Sequence, residues 1–439
     1  MPTLKTITLG CKVNQYETQY AREGFLRLGY REAADGDQPD LILVNSCTVT
    51  AESEAKTRKI IRRLAKQNPR SEIVVMGCYA ARAPDEAASL PGVSEVVTDK
   101  RKLPDFFARR GLQAIPRGIS GFEGRHRAWV KIQDGCRQRC SYCIVPRVRP
   151  VLASRPADDV LEEIRRLADA GFAEIVLTGI HLGHYGIETA EMEPRPMGAR
   201  PPVAALCRNS LVDLLGQIVA MSGEFRVRLS SIEAAEVTPQ LLDLLAAYPR
   251  RICPHLHLPM QSGSDAILKK MRRRWPARRF IDRCLEIRDR LDQPALTTDV
   301  IVGFPGETEE DFAATCQAAR EVGFSKIHVF RFSPRQGTEA ADMPNRVPQR
   351  IHQRRAADLA KLAARLTGQY LRELCGKRLQ VLAEGVLPES QGILAGTADR
   401  YVTVEFPGRA ELVGRLVEVR IDKATGILLK CSRHTPCAV

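Results

Sequence analysis

The chain has 439 residues, 44% of them hydrophobic, with thirteen cysteines and a formal net charge of +14. Two or three domains fit that length, and the core they can bury needs no covalent staples. Composition excludes a disulfide-stapled small domain, and no apolar run is long enough to span a bilayer. The first nine residues are too short and polar for a secretory leader, so a reducing, cytoplasmic location is expected, with thiols free or bound to metal. The positive charge favours nucleic acid over a membrane surface as partner, since no amphipathic anchor accompanies it.

From residue 1 to about 112, strand and helix patterns alternate. Strands are predicted at 3–9, 41–45, 72–76 and 95–98, and helices at 15–28, 51–67 and 102–110. Such alternation predicts a parallel sheet with helices on its faces. Residues 113–125, rich in Gly and Arg, predict a linker. A second series follows, with strands at 128–133, 174–178, 224–230, 252–258, 295–301 and 326–330 and helices at 156–170, 210–222, 276–291 and 308–322. It predicts an open, partial (βα)6 barrel. Residues 188–209 break the pattern with four prolines and predict an inserted surface loop. A basic helix is predicted from 348 to about 374. Short strands at 378–383, 392–395, 401–405, 416–421 and 427–429 then predict a small antiparallel barrel, a form that often binds looped or single-stranded nucleic acid. The expected fold class is α/β in three parts: 1–112, 122–354 and 376–437.

Three cysteines stand out at Cys136, Cys140 and Cys143, spaced Cys-x3-Cys-x2-Cys directly after a predicted strand. Thiolates are the usual ligands of iron–sulfur clusters, and three sulfurs on a four-iron cubane leave one iron open for chemistry. Zinc and simple buried thiols are the alternatives, but no fourth cysteine follows at zinc-finger spacing. Cys11, Cys47 and Cys78 each follow a different strand of the N-terminal sheet. In a parallel sheet the carboxyl ends share one rim, so the three converge as a second candidate metal site, the alternative being packed thiols. Gly10 and Gly77 precede two of them and permit close backbone approach. His255 and His257 share a strand face and suit hydrogen-bonded lining. His181 and His184 read as incidental, and Cys207, Cys253, Cys284, Cys316 and Cys375 as packing residues.

The Cys-x3-Cys-x2-Cys motif with Tyr142 before the last cysteine resembles the radical S-adenosylmethionine (SAM) enzymes. Together with the three-cysteine α/β domain and the terminal barrel, which resembles the RNA-binding TRAM module, it resembles the methylthiotransferases over nearly the whole chain. Three further segments carry the likeness: Val300-Ile301-Val302-Gly303-Phe304-Pro305-Gly306-Glu307-Thr308, His255-Leu256-His257-Leu258-Pro259-Met260-Gln261-Ser262-Gly263-Ser264 and Arg228-Leu229-Ser230-Ser231-Ile232-Glu233. The resemblance implies two [4Fe–4S] clusters. One, on Cys136, Cys140 and Cys143, cleaves SAM to a 5′-deoxyadenosyl radical. The other, on Cys11, Cys47 and Cys78, carries the sulfur to be inserted. It also implies SAM contacts from Tyr142, Gly179, Ser230, Gln261 and Ile301, and the need for an electron donor and a sulfur donor. The segments around Cys11, Cys47 and Cys78 resemble the subgroup acting on threonylcarbamoyladenosine in the anticodon loop of tRNA. The alternatives are isopentenyladenosine in tRNA, a ribosomal-protein aspartate or, in another class, a non-catalytic iron–sulfur RNA-binding protein. In one departure, Pro146-Arg147-Val148-Arg149-Pro150 stands where the family commonly has an Arg-Gly pair. By position, Arg147 and Arg149 are candidates for the threonyl carboxylate. The cations Arg346, Arg350, Arg354, Arg355, Lys361, Arg365, Arg372, Lys377 and Arg378 are candidates for tRNA phosphates.

Overall fold

A computed structural model of the chain describes residues 1–34, 36–187, 210–387, 392–431 and 434–435. The first sheet is parallel. Its strands are β1 (Thr3–Thr8), β2 (Arg31–Glu32), β3 (Leu41–Ser46), β4 (Glu72–Gly77) and β5 (Val93–Val97), in the order β2-β1-β3-β4-β5. The apolar residues of β3 and β4 are fully buried because helices cover both faces of the sheet. Helix Ala51–Gln67 starts where Thr50 accepts from the Ser53 amide, with Glu52 and Glu54 in its first turn. The first helix runs Lys12–Arg27 and so begins three residues before the predicted start, with Cys11 as its N-cap.

The second series forms β6 (Arg127–Asp134), β7 (Ala153–Ser154), β8 (Glu174–Gly179), β9 (Arg226–Leu229), β10 (His255–His257), β11 (Ala295–Val302) and β12 (Lys326–Arg331). One sheet is ordered β7-β6-β8-β9 and another β10-β11-β12. Parallel bridges Val227–Ile252 and Ser231–His257 join them into an arc of six parallel strands. The short β7 pairs antiparallel with β6 and was not foreseen. β10 is shorter than the predicted 252–258, because Pro254 and Pro259 lack the amides a longer ladder needs. Helix Pro239–Ala247 also escaped prediction. Residues 188–209, Cys207 among them, lie outside the described residues.

The C-terminal strands are β13 (Arg378–Val386), β14 (Ile393–Ala398), β15 (Thr403–Pro407), β16 (Leu416–Arg420), β17 (Lys423–Thr425), β18 (Leu428–Lys430) and β19 (His434–Thr435). They order as β17-β18-β15-β14-β13-β16-β19. The sheet is antiparallel except for the parallel pair β15–β18. It docks beneath the arc, at the amino ends of β8 and β9. There Arg226 and Arg228 pair with the buried Glu174 and donate to the carbonyls of Gln380, Thr397, Ala398 and Asp399. The carboxyl rim of the arc therefore remains the free end. No helix among the described residues is long and apolar enough to cross a membrane.

Candidate functional site

Cys11, Cys47 and Cys78 follow β1, β3 and β4, which are neighbours in the sheet, and this adjacency brings them together. Gly10 has φ +114°, and a Cβ there would sit 3.3 Å from the Cys47 sulfur. Gly77 has φ +102°, and a Cβ there would collide with the Ser46 carbonyl. Only glycine lets these loops close around a shared centre. Asn14 clamps the loops from behind, donating to the Asn45 side chain at 3.1 Å and the Ser46 carbonyl at 2.9 Å, while its oxygen lies 3.4 Å from the Cys11 sulfur. Cys11 opens to solvent, whereas Cys47 and Cys78 are buried. Burial raises the Cys47 thiol, and the protein packed around the inner side of Cys11 desolvates and raises that thiol too, although the residue reaches solvent. A metal cation is what would hold such groups as thiolates.

Cys136, Cys140 and Cys143 occupy the loop after β6, on the carboxyl rim of the arc. Gly135 at φ +76° opens that loop, and a Cβ there would strike the Val151 carbonyl. The Cys143 amide donates to the Cys140 carbonyl at 3.0 Å, which turns the sulfurs toward one another. Burial pushes Cys143 up to about 12 and raises Cys140. A guanidinium nitrogen of Arg273 lies 4.0 Å from the Cys140 sulfur and is itself anchored on Glu233. His181, set aside in the sequence reading, places Nδ1 3.7 Å from the Cys136 sulfur and Nε2 2.6 Å from Glu236. Burial disfavours its protonation, but the hydrogen bonds to Cys136 and Glu236 outweigh that and raise it to about 9. Its only sequence signal was its place two residues beyond Gly179, just after β8.

The two cysteine groups adjoin. Cys78 packs with Ile144 and Val148, and Ile144 is the residue after Cys143. Arg149 ties the same two loops by charge. It is fully buried, bonding Glu17 at 2.7 and 2.8 Å, Asp134 at 2.8 Å and Asn14 at 3.3 Å. Glu17 follows Cys11 on the first helix and Asp134 ends β6. Burial would raise Glu17, but Arg149 and Lys131 hold it at about 2. Arg149 is thus structural and unavailable to a substrate carboxylate, a correction to its candidacy.

The remaining site residues lie along the rim. The Tyr142 ring meets Phe304 edge-on at 6.5 Å. Gly179 ends β8, and a Cβ there would press on Gln133 at 3.0 Å. The Ser230 hydroxyl, just past β9, is buried without a hydrogen-bond partner. Gln261 sits at φ +66°, and the Ile301 amide donates to its carbonyl at 2.9 Å. A ligand would satisfy the orphaned hydroxyl, and strained backbone such as that of Gln261 is held where a site is built, so both fit a bound cofactor on this rim.

Residues 130–319 match the family described as the radical SAM superfamily, and residues 3–99 match the uncharacterized protein family UPF0004. The threonylcarbamoyladenosine tRNA methylthiotransferase MtaB of Bacillus subtilis is 36% identical, over 97% of this chain and 94% of its own. The chain belongs to the radical SAM methylthiotransferase family. A tRNA-2-methylthio-N6-dimethylallyladenosine synthase of Akkermansia muciniphila is 32% identical over 98% of both chains. The fold also resembles the radical SAM methyltransferase TsrM of Kitasatospora setae, with a TM-score of 0.53 at 15% identity over 78% of this chain and 77% of that one.

The basic helix runs Gln349–Glu373, and one of its candidate phosphate contacts is not free. Arg355 is buried and pairs with Glu307 at 2.6 Å and Glu309 at 2.7 Å, so it faces the core. Arg350, Arg365 and Arg372 are exposed and remain open to phosphate, as is Lys361 beyond an exposed pair with Asp358.

Proposed function

We propose that the chain converts N6-threonylcarbamoyladenosine beside the anticodon of tRNA to its 2-methylthio derivative. The observation that carries this is the packing of Cys78 against Ile144, which abuts two three-thiol sites, in a chain 36% identical to a protein named for that reaction. Cys136, Cys140 and Cys143 would hold one [4Fe–4S] cluster and Cys11, Cys47 and Cys78 a second, and with SAM these supply a carbon-centred radical and the sulfur. An aromatic C–H is too weak an acid for a side-chain base at neutral pH, so cofactors must carry that step.

The protein's residues do the rest. Tyr142, Gly179, Ser230, Gln261 and Ile301 line the SAM position. Arg149, with Glu17 and Asp134, fixes the spacing of the two cysteine loops. The exposed cations after Arg346 and the terminal sheet hold the tRNA. An unstacked base in an anticodon loop can reach such a rim without melting a duplex. An electron donor and a sulfur donor complete the partners. Mass spectrometry of tRNA nucleosides from cells lacking and expressing the chain tests the reading. The methylthio product should appear on threonylcarbamoyladenosine. Its appearance on isopentenyladenosine, or on a ribosomal protein with tRNA unchanged, would overturn the substrate.

A further inference from the structure

A threonylcarbamoyl group brings a carboxylate into a partly desolvated lumen, where it needs a cation. Most buried cations around the arc are already committed. Arg226 and Arg228 serve Glu174, Arg273 serves Glu233, Arg149 serves Glu17 and Asp134, and Arg335 serves Glu54. Lys12 is different. It is half-buried, directly follows Cys11, and points its ammonium at the ring of Tyr401, 6.0 Å from the centroid. Among the described residues no carboxylate pairs with it. Its charge adds to what lowers His255 and His328, burial first of all; Asp299 opposes the shift at His328 without reversing it. Lys12 therefore projects into the lumen from the first turn of helix Lys12–Arg27, beside the first cysteine of the N-terminal group.

The facing wall has the right layers. Asp299 opposes His328 across β11 and β12, and Ile301 opposes Phe330 two residues further toward the rim. Residues two apart on a strand share a face, so Phe330 lies directly above His328 on the lumen side. Phe330 is 45% exposed, a large apolar ring open to a partner. Asp299 is engaged by His257 at 3.3 Å, and His257 bonds Thr297 at 3.0 Å, so the wall below the ring is polar and largely satisfied. A base stacked on Phe330 would send its N6 substituent down past His328, toward Lys12.

We propose that Lys12 determines specificity by pairing its ammonium with a carboxylate on the N6 substituent of the substrate adenine, while the base stacks on Phe330. This rests on the function proposed above. The same ammonium disfavours a prenyl substituent, which would cover the cation and leave it unpartnered. Lys12 touches the substrate and selects it, while the sulfur chemistry stays with the cysteines.

The test uses the reconstituted full chain and three anticodon-loop RNAs. One carries threonylcarbamoyladenosine, one its carboxylate methyl ester and one isopentenyladenosine. The readout is kcat/KM for the methylthio nucleoside, with iron content as the check on folding. The wild-type chain should prefer the acid over the ester by about 10- to 100-fold, the scale of a hydrogen-bonded ion pair. Lys12→Gln and Lys12→Met should erase that preference, chiefly through KM on the acid, while Lys12→Arg keeps part of it. A neutral variant that retains the preference, or that slows acid and ester by the same factor, overturns the assignment and leaves the substrate reading standing. A wild-type chain that modifies the isopentenyl RNA and not the acid overturns both.

Discussion

Replacing Arg149 with Met should loosen the joint between the two cysteine loops. The substitution keeps bulk but removes a buried guanidinium bonded to Glu17, Asp134 and Asn14. Glu17 sits at about 2 against an ordinary 4.5. At about 1.4 kcal/mol per tenfold, that corresponds to about 3 kcal/mol of favourable interaction at neutral pH, shared between Arg149 and Lys131. Breaking one partner of a buried pair costs about 3–5 kcal/mol, so the two estimates agree in scale. Because the folded pKa is depressed, this stability is present above the unfolded value of about 4.5 and is lost as pH falls toward 2. The deficit of the Arg149→Met variant should be full at pH 7 and smaller at pH 3.5, by up to about 1.4 kcal/mol from Glu17, since Lys131 keeps its share. Urea unfolding followed by tryptophan fluorescence reads it, since Trp129 lies on β6 against Phe122, two residues from Lys131. A deficit under 1 kcal/mol at pH 7, or one that does not change with pH, would refute the reasoning.

Three further outcomes are expected. Anaerobic reconstitution should load about eight irons per chain, and Cys140→Ala about four, as read by iron and sulfide assay; four in the intact chain would remove the N-terminal cluster from the scheme. Cys136→Ala should abolish formation of 5′-deoxyadenosine, whereas Cys47→Ala should retain it and fail to insert sulfur; loss of SAM cleavage in both would contradict the division of roles. Gly77→Ala, at φ +102° with the Ser46 carbonyl in the way, should cost about 1–3 kcal/mol and lower the iron bound at the N-terminal site; unchanged iron and stability would show that the loop closes without glycine.

Read alone, the sequence carried most of the elements, though not β7 or helix Pro239–Ala247, together with the parallel N-terminal sheet, the six-strand arc and the grouping of the cysteines. These follow from short-range information. Apolar periodicity announces each strand and helix, and a cysteine placed just after a parallel strand must lie on the ligand-binding rim. It misjudged what depends on distant partners. Arg149 and Arg355 read as open cations because neither has an acidic residue within two positions in sequence. Folding instead delivers Glu17 and Asp134 to one, and Glu307 and Glu309 to the other. His181 read as incidental until β8 was set beside β6 and its ring met Cys136. Tertiary structure alone decided that Cys78 packs against Ile144 and that Lys12 faces Tyr401, nearly four hundred residues away. The charge on a side chain is written in its residue type, but whether that charge is spent on a buried partner or left for a ligand depends on which remote segment the packing brings against it.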